Sequence, residues 1–164
     1  MSEPWAHLAR RFLGSLRPGG PSPADESWAQ AHLTVGERGV WRSMSGADRR
    51  HAVGVARATV DQLGIDAGTE VVAAALLHDA GKVESGLGTS GRVAATLLAA
   101  ARGRDRIGGR MGAYLRHDAL GADLLRRAGS APVAVTWAAE HHLPPSRWTL
   151  DPRVAHALKA ADDD

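Results

Sequence analysis

Cysteine is absent from this chain, so neither a disulfide framework nor a thiolate metal site is available, and any metal site has to be built from histidine and carboxylate. Lysine is nearly absent: Lys82 and Lys159 stand among 20 basic residues that are otherwise arginine. Aromatics are few, with five Trp, one Tyr and one Phe. β-Branched runs are scarce, and the apolar content leans on Ala, Leu and Val, which suits close helix packing better than a sheet. Long hydrophobic runs are missing too. The best, Val93 to Ala101, is flanked by arginine on both sides and falls short of the roughly twenty apolar residues that cross a bilayer. Near the N-terminus Arg10, Arg11 and Arg17 follow the apolar residues, the reverse of the order in a secretory signal. These absences point to a cytoplasmic protein without a membrane span.

What is present fits one domain, since 164 residues can bury a real core but divide poorly into two. From Pro4 to Leu16, the residues Trp5, Leu8, Phe12 and Leu16 share a helical face, which predicts a surface helix packed on the domain; docking to a membrane surface or partner is the other reading. A Pro/Gly linker follows from Arg17 to Pro23. Ser22-Pro23 opens a helix to about Leu33, and Thr34-Val35-Gly36-Glu37 has capping-box form before another short one. Ser45-Gly46-Ala47-Asp48 starts a longer helix that ends at Gly64 and carries His51 inward. Alone, an inward histidine is more often a satisfied core residue than a ligand.

The helix that Thr69 is expected to cap places Val72, Ala75, Leu76 and Asp79 at i, i+3, i+4, i+7, so Asp79 lies on the buried stripe. A buried carboxylate needs a partner, and a divalent cation supplies the opposite charge. His78 is its neighbour, about 100° round the helix, yet near a helix end both side chains reach a cation placed between them. Gly81 is expected to let this helix stop. Lys82, i+4 from His78 and i+3 from Asp79, reads either as a phosphate contact beside the metal or as a lysine placed near a helix C-terminus.

Beyond it, Glu84 to Gly91 reads as a loop at the pocket mouth and Arg92 to Ala101 as a helix. Ala101 to Arg116 carries Arg102, Arg104, Arg106, Arg110 and Arg116 among four glycines. This stretch is a phosphate-gathering lid or a solvated loop; short and poor in aromatics, it argues against nucleic-acid binding. His117 has Gly121 four residues on, where a small residue permits close helix approach. Ser130 and Pro132 open a helix that ends in Glu140-His141-His142 before Pro144-Pro145. On a regular helix two adjacent histidines cannot face one point, so His141 is taken as the ligand and His142 as pocket lining. Asp151-Pro152 caps the last helix, where Val154, Leu158, Ala161 and Asp162 share a face and turn Asp162 inward.

The ordered set His51, His78-Asp79, His117, His141-His142 and Asp162 resembles the HD-domain superfamily of metal-dependent phosphohydrolases. The resemblance runs from about Ser45 to the C-terminus, and its firmest piece is Ala74-Ala75-Leu76-Leu77-His78-Asp79-Ala80-Gly81-Lys82. Arg116 to Gly121, Ala139 to His142 and Ala157 to Asp162 agree with it. It implies an all-α domain over residues 45–164, with residues 1–44 as accessory helices packed on it, and one or two divalent metal ions, with Fe, Mn, Ni, Co and Zn not distinguishable. In members with an HD-x-G-K motif the lysine matching Lys82 is associated with the substrate phosphate. In HD phosphodiesterases a His-x-x-x-Gly like the one at His117 supplies a second-metal ligand.

Six candidate ligands, His51, His78, Asp79, His117, His141 and Asp162, favour two ions over one. Asp79 would bridge them, with His51, His78 and Asp162 on one side and His117 and His141 on the other, leaving sites for a water nucleophile. Lys82 and Asp79 are the expected catalytic residues, and a phosphate-bearing small molecule, a nucleotide or a related ester, is the expected substrate. After His141-His142 the chain continues Leu143-Pro144-Pro145, without the Gly-Tyr-Pro element of cyclic-dinucleotide phosphodiesterases, so that specificity is not supported. The same ligands also resemble HD-type di-iron oxygenases. A non-catalytic metal-bound domain that senses a nucleotide or docks a partner is a third reading.

Overall fold

Side-chain caps start three helices where the sequence places them. Ser22 Oγ accepts from Asp25 N (3.1 Å) at α1 (Pro23–Ala31). Thr34 and Glu37 form a reciprocal capping box at α2 (Val35–Ser43). Ser45 Oγ accepts from Asp48 N (3.1 Å) at α3 (Gly46–Leu63). Each such cap stabilises its helix by about 1 kcal/mol.

The computed structural model of the chain describes residues 19–87, 91, 94–95, 98, 103 and 107–163. The helix expected over Pro4 to Leu16 lies outside these residues, as do Arg102, Arg104 and Arg106 and most of the stretch Arg92 to Ala101. Among the described residues all regular structure is helical, as expected, and none of the helices is long and apolar enough to cross a membrane. Further α-helices are α4 (Thr69–Leu77), α5 (Lys82–Ser85), α6 (Gly109–Leu115), α7 (His117–Arg127), α8 (Pro132–Glu140) and α9 (Pro152–Asp163), with 3₁₀ turns at Gly64–Asp66 and Pro145–Arg147.

Five local expectations need correction. Gly68, not Thr69, occupies the cap position of α4, and Ala131, not Ser130, that of α8. The α4 helix stops at Leu77 rather than running to Gly81, so His78 to Gly81 form a turn. The loop expected from Glu84 begins later, because Lys82–Ser85 form one helical turn. The Arg/Gly-rich stretch is not loop throughout, since Gly109–Leu115 are helical.

Helix α4 is the central element; its first turn is exposed, but from Val72 to Leu77 every residue is buried. It packs against α3 and α8, while α9 lies on α3, α7 on α8, and α5 on α6 and α7. Trp41, Leu76, Leu77, Leu125, Trp137 and Leu158 are fully buried in one continuous core. Burying each such side chain contributes roughly 1.5–3 kcal/mol. Ala29, Leu33, Val40 and Met44 of the first helical segments belong to that same core. Glu26 ties them further by accepting from Trp41 Nε1 (2.8 Å) and pairing with Arg49 (3.1 Å).

Candidate metal centre

The turn after α4 exists because two backbones touch. A Cβ on Gly81 would overlap the His117 carbonyl oxygen and stand 2.6 Å from Gly121 N. Glycine at both positions lets the turn that carries His78 and Asp79 sit directly on the first turn of α7, which carries His117. Both His78 and Asp79 are buried. The sequence argument put Asp79 on an apolar stripe; burial arises instead because the chain is enclosed continuously from Val72 through the turn to Gly81.

Around Asp79 the expected residues converge. Its Oδ1 lies 3.4 Å from His117 Nε2 and 3.8 Å from His141 Nε2. Its Oδ2 lies 3.5 Å from His78 Nε2 and accepts from Lys82 Nζ. Asp162 Oδ1 lies 3.1 Å from His51 Nε2 and 3.4 Å from His78 Nε2. On α9, Ala155, Leu158, Ala161 and Asp162 face inward while Asp163 is exposed, as helix phase predicts; Val154 is only partly buried.

His142 joins the cluster as well. Because α8 stops at Glu140, the two adjacent histidines sit in a turn rather than on a regular helix, and both imidazoles approach the same point. His142 Nε2 lies 3.0 Å from His117 Nε2. Two donor groups result, Asp79-His117-His141-His142 and His51-His78-Asp79, within each of which the candidate ligand atoms lie within 4.8 Å of one another. Asp79 is common to both.

Three of the imidazoles have a fixed tautomer. Nδ1 of His78 donates to the Ala75 carbonyl (2.8 Å), Nδ1 of His117 to that of Tyr114 (2.7 Å), and Nδ1 of His141 to that of Ala138 (3.0 Å). A carbonyl only accepts, so the proton resides on Nδ1 and a lone pair on Nε2 faces the carboxylates. For His78 and His141 this Nε2 is buried and makes no hydrogen bond. Lone pairs aimed at carboxylate oxygens are stable only with positive charge between them, and the donor set of imidazole and carboxylate suits a divalent metal ion.

Electrostatics carry the same demand for positive charge. Burial opposes ionisation of Asp79, but the Lys82 ammonium, His78 and His117 hold its carboxyl well below the usual range. Burial likewise opposes ionisation of Asp162, yet the His51 hydrogen bond and the nearby His78 imidazole hold it far below. Burial would lower His78, but Asp79 and Asp162 raise it. Burial would lower Lys82 too; Asp79, then Asp48 and Tyr114, raise it. His141 is pushed down to about 3 by burial, then by its imidazole neighbours His78 and His142. His142 falls to about 4, from burial and then His117.

Sequence reasoning missed Tyr114, whose ring stacks beside that of His117 (5.6 Å between centroids) and whose carbonyl orients it. It also missed Asp48, buried one turn before His51. The i−3 spacing of each from a site histidine was the available signal.

The HD domain family model matches residues 49–163, and the chain belongs to that family. A search of curated proteins and a search of solved structures each gave no match.

Proposed function

We propose that this chain is a metal-dependent hydrolase of phosphate esters, a phosphomonoesterase or phosphodiesterase acting on a nucleotide or a related ester. The observation that carries the reading is Asp79: one buried carboxylate shared by two donor groups, with a lysine ammonium on its Oδ2. His51, His78, Asp79 and Asp162 would hold one divalent ion, and Asp79, His117, His141 and His142 a second. Ions bound there lower the pKa of water toward neutrality and offset charge on phosphoryl oxygens.

The chain's own residues supply the rest. The Nδ1 bonds of His78, His117 and His141 hold their rings so that each Nε2 stays aimed inward. Lys82 is about one-fifth exposed, unlike the buried carboxylate it pairs with, so its ammonium stands at the rim where it can take a phosphate oxygen. The partly open His51 and exposed His142 mark where solvent and substrate meet the cluster.

The test is elemental analysis of the purified protein combined with a hydrolysis screen over phosphate monoesters, diesters and nucleotides. Bound divalent metal and phosphate release lost in Asp79→Asn support the reading. Bound iron with O₂ consumption and no phosphate release would replace it with a di-iron oxygenase. Bound metal with tight nucleotide binding and no turnover would replace it with a nucleotide sensor.

A further inference from the structure

Lys82 sits on a helix of only four residues, too short to hold its own conformation, since an isolated helix below about 12–15 residues is marginal in water. Its position must come from outside. Ser85, buried, donates from Oγ to the Lys82 carbonyl (2.7 Å) and accepts from Leu87 N (3.3 Å). Gly86 closes the turn in the left-handed region (φ 55°), which leaves the carbonyls of Ser85 and Gly86 pointing out of the helix end. Both are taken by one side chain: Arg110 Nε donates to Ser85 O (3.0 Å), and Arg110 Nη2 donates to Gly86 O.

Arg110 belongs to α6, whose Tyr114 carbonyl holds His117 Nδ1. One guanidinium therefore joins the turn bearing Lys82 to the helix that orients His117, and those two side chains approach opposite oxygens of Asp79. We infer that Arg110 is a positioning residue that sets the Lys82 ammonium and the His117 imidazole relative to each other across Asp79. The functional consequence rests on the metal-hydrolase reading; the positioning itself does not. Arginine suits the task because its planar fork presents two N–H groups at fixed spacing to two carbonyls, which a lysine cannot do.

The experiment uses the full chain and Arg110→Gln, with Arg110→Lys as the milder variant should the first fail to fold. Imidazole ¹H–¹⁵N spectra of the metal-free protein are expected to shift most at His117 and His142, less at His78, which shares Asp79 Oδ2 with Lys82, and not at His51. Titration with Zn²⁺ alone is expected to leave one binding step intact and weaken the other by about tenfold or more, the size usual for loss of a group that orients a ligand. Unchanged spectra, or equal disturbance of all four histidines with a lowered melting temperature, overturn the inference, because the second pattern is that of a purely structural contact. Wild-type protein that takes up no Zn²⁺ or Mn²⁺ removes the metal reading instead, and the imidazole spectra then decide the role of Arg110 by themselves.

Discussion

Gly81 and Gly121 meet backbone to backbone, a Cβ on Gly121 standing 3.0 Å from Gly81 N. The opposing atoms are main chain, so neither can swing aside. Gly81→Ala is expected to destabilise the protein by about 1–3 kcal/mol, in the range of core overpacking, and to move His78 and Asp79 away from His117. Thermal unfolding and metal content of the variant check this; a variant with wild-type metal content and stability contradicts the close contact.

Replacing Lys82 by glutamine removes the ammonium from Asp79 Oδ2 while leaving the imidazoles in place. Metal content should persist and kcat/KM for a phosphate ester should fall by about 100-fold, comparable with losing one preorganised donor to a developing oxyanion. Steady-state kinetics beside elemental analysis separates this outcome from loss of metal.

His141→Ala and His142→Ala should differ. His141 is fully buried against Trp137 and Trp137 is itself core, whereas His142 reaches the surface. Truncating the buried ring leaves a cavity and is expected to cost several kcal/mol, on the order of 2–5, while the exposed one costs little stability. Both variants should weaken metal uptake. Denaturant unfolding compares the first quantity and metal titration the second.

Acid should destabilise the metal-free protein. His141 has a folded value of about 3 against 6.5 when free, so between those limits the unfolded chain binds the proton and the native one does not. That contribution is complete above about pH 6.5 and is lost as pH falls toward 3; His142, at about 4, adds in the same sense. The depressed Asp79 and Asp162 contribute stability above their free value of 3.8 and lose it below. His78 is raised and acts oppositely, its contribution fading as pH rises through its folded value. Melting temperatures of metal-free protein should therefore fall from pH 7 to pH 4, and a rising profile would contradict the burial of His141. Metal affinity should fall over the same window, because a protonated imidazole cannot ligate.

Metal removal should lower the melting temperature. An ion that binds only the folded chain at one hundred times its dissociation constant adds about 2.7 kcal/mol, which for a domain of this size is roughly 5–10 °C. Calorimetry before and after chelation, with recovery on adding Mn²⁺ or Zn²⁺, measures it.

Much of the fold was legible because its signals are local. Ser22, Thr34, Ser45 and Asp151 announce helix starts through their own side chains, and each makes its predicted bond. The histidine and aspartate set was legible because residue type restricts ligand chemistry so strongly. The end of α4 was not, because His78 to Gly81 leave the helix for a contact with α7 that only the tertiary fold creates. The same cause hid the joint approach of His141 and His142, since their phase was reckoned on a helix that stops at Glu140. Arg110 was read as part of a charged lid or solvated loop because nothing near it in the chain reveals the carbonyls of Ser85 and Gly86.

His51 and Asp162 bond at 3.1 Å although 111 positions separate them along the polypeptide. During translation, the first donor leaves the ribosome long before its carboxylate partner is made. A nascent chain thus carries Asp79 from early on but lacks the second carboxylate, and the His51–Asp162 pair closes only when α9 docks on α3. On the metal-hydrolase reading proposed above, filling of the His51 side of the centre would be a late event of biogenesis, tied to the docking of α9 that also completes the core with Ala155, Leu158 and Ala161.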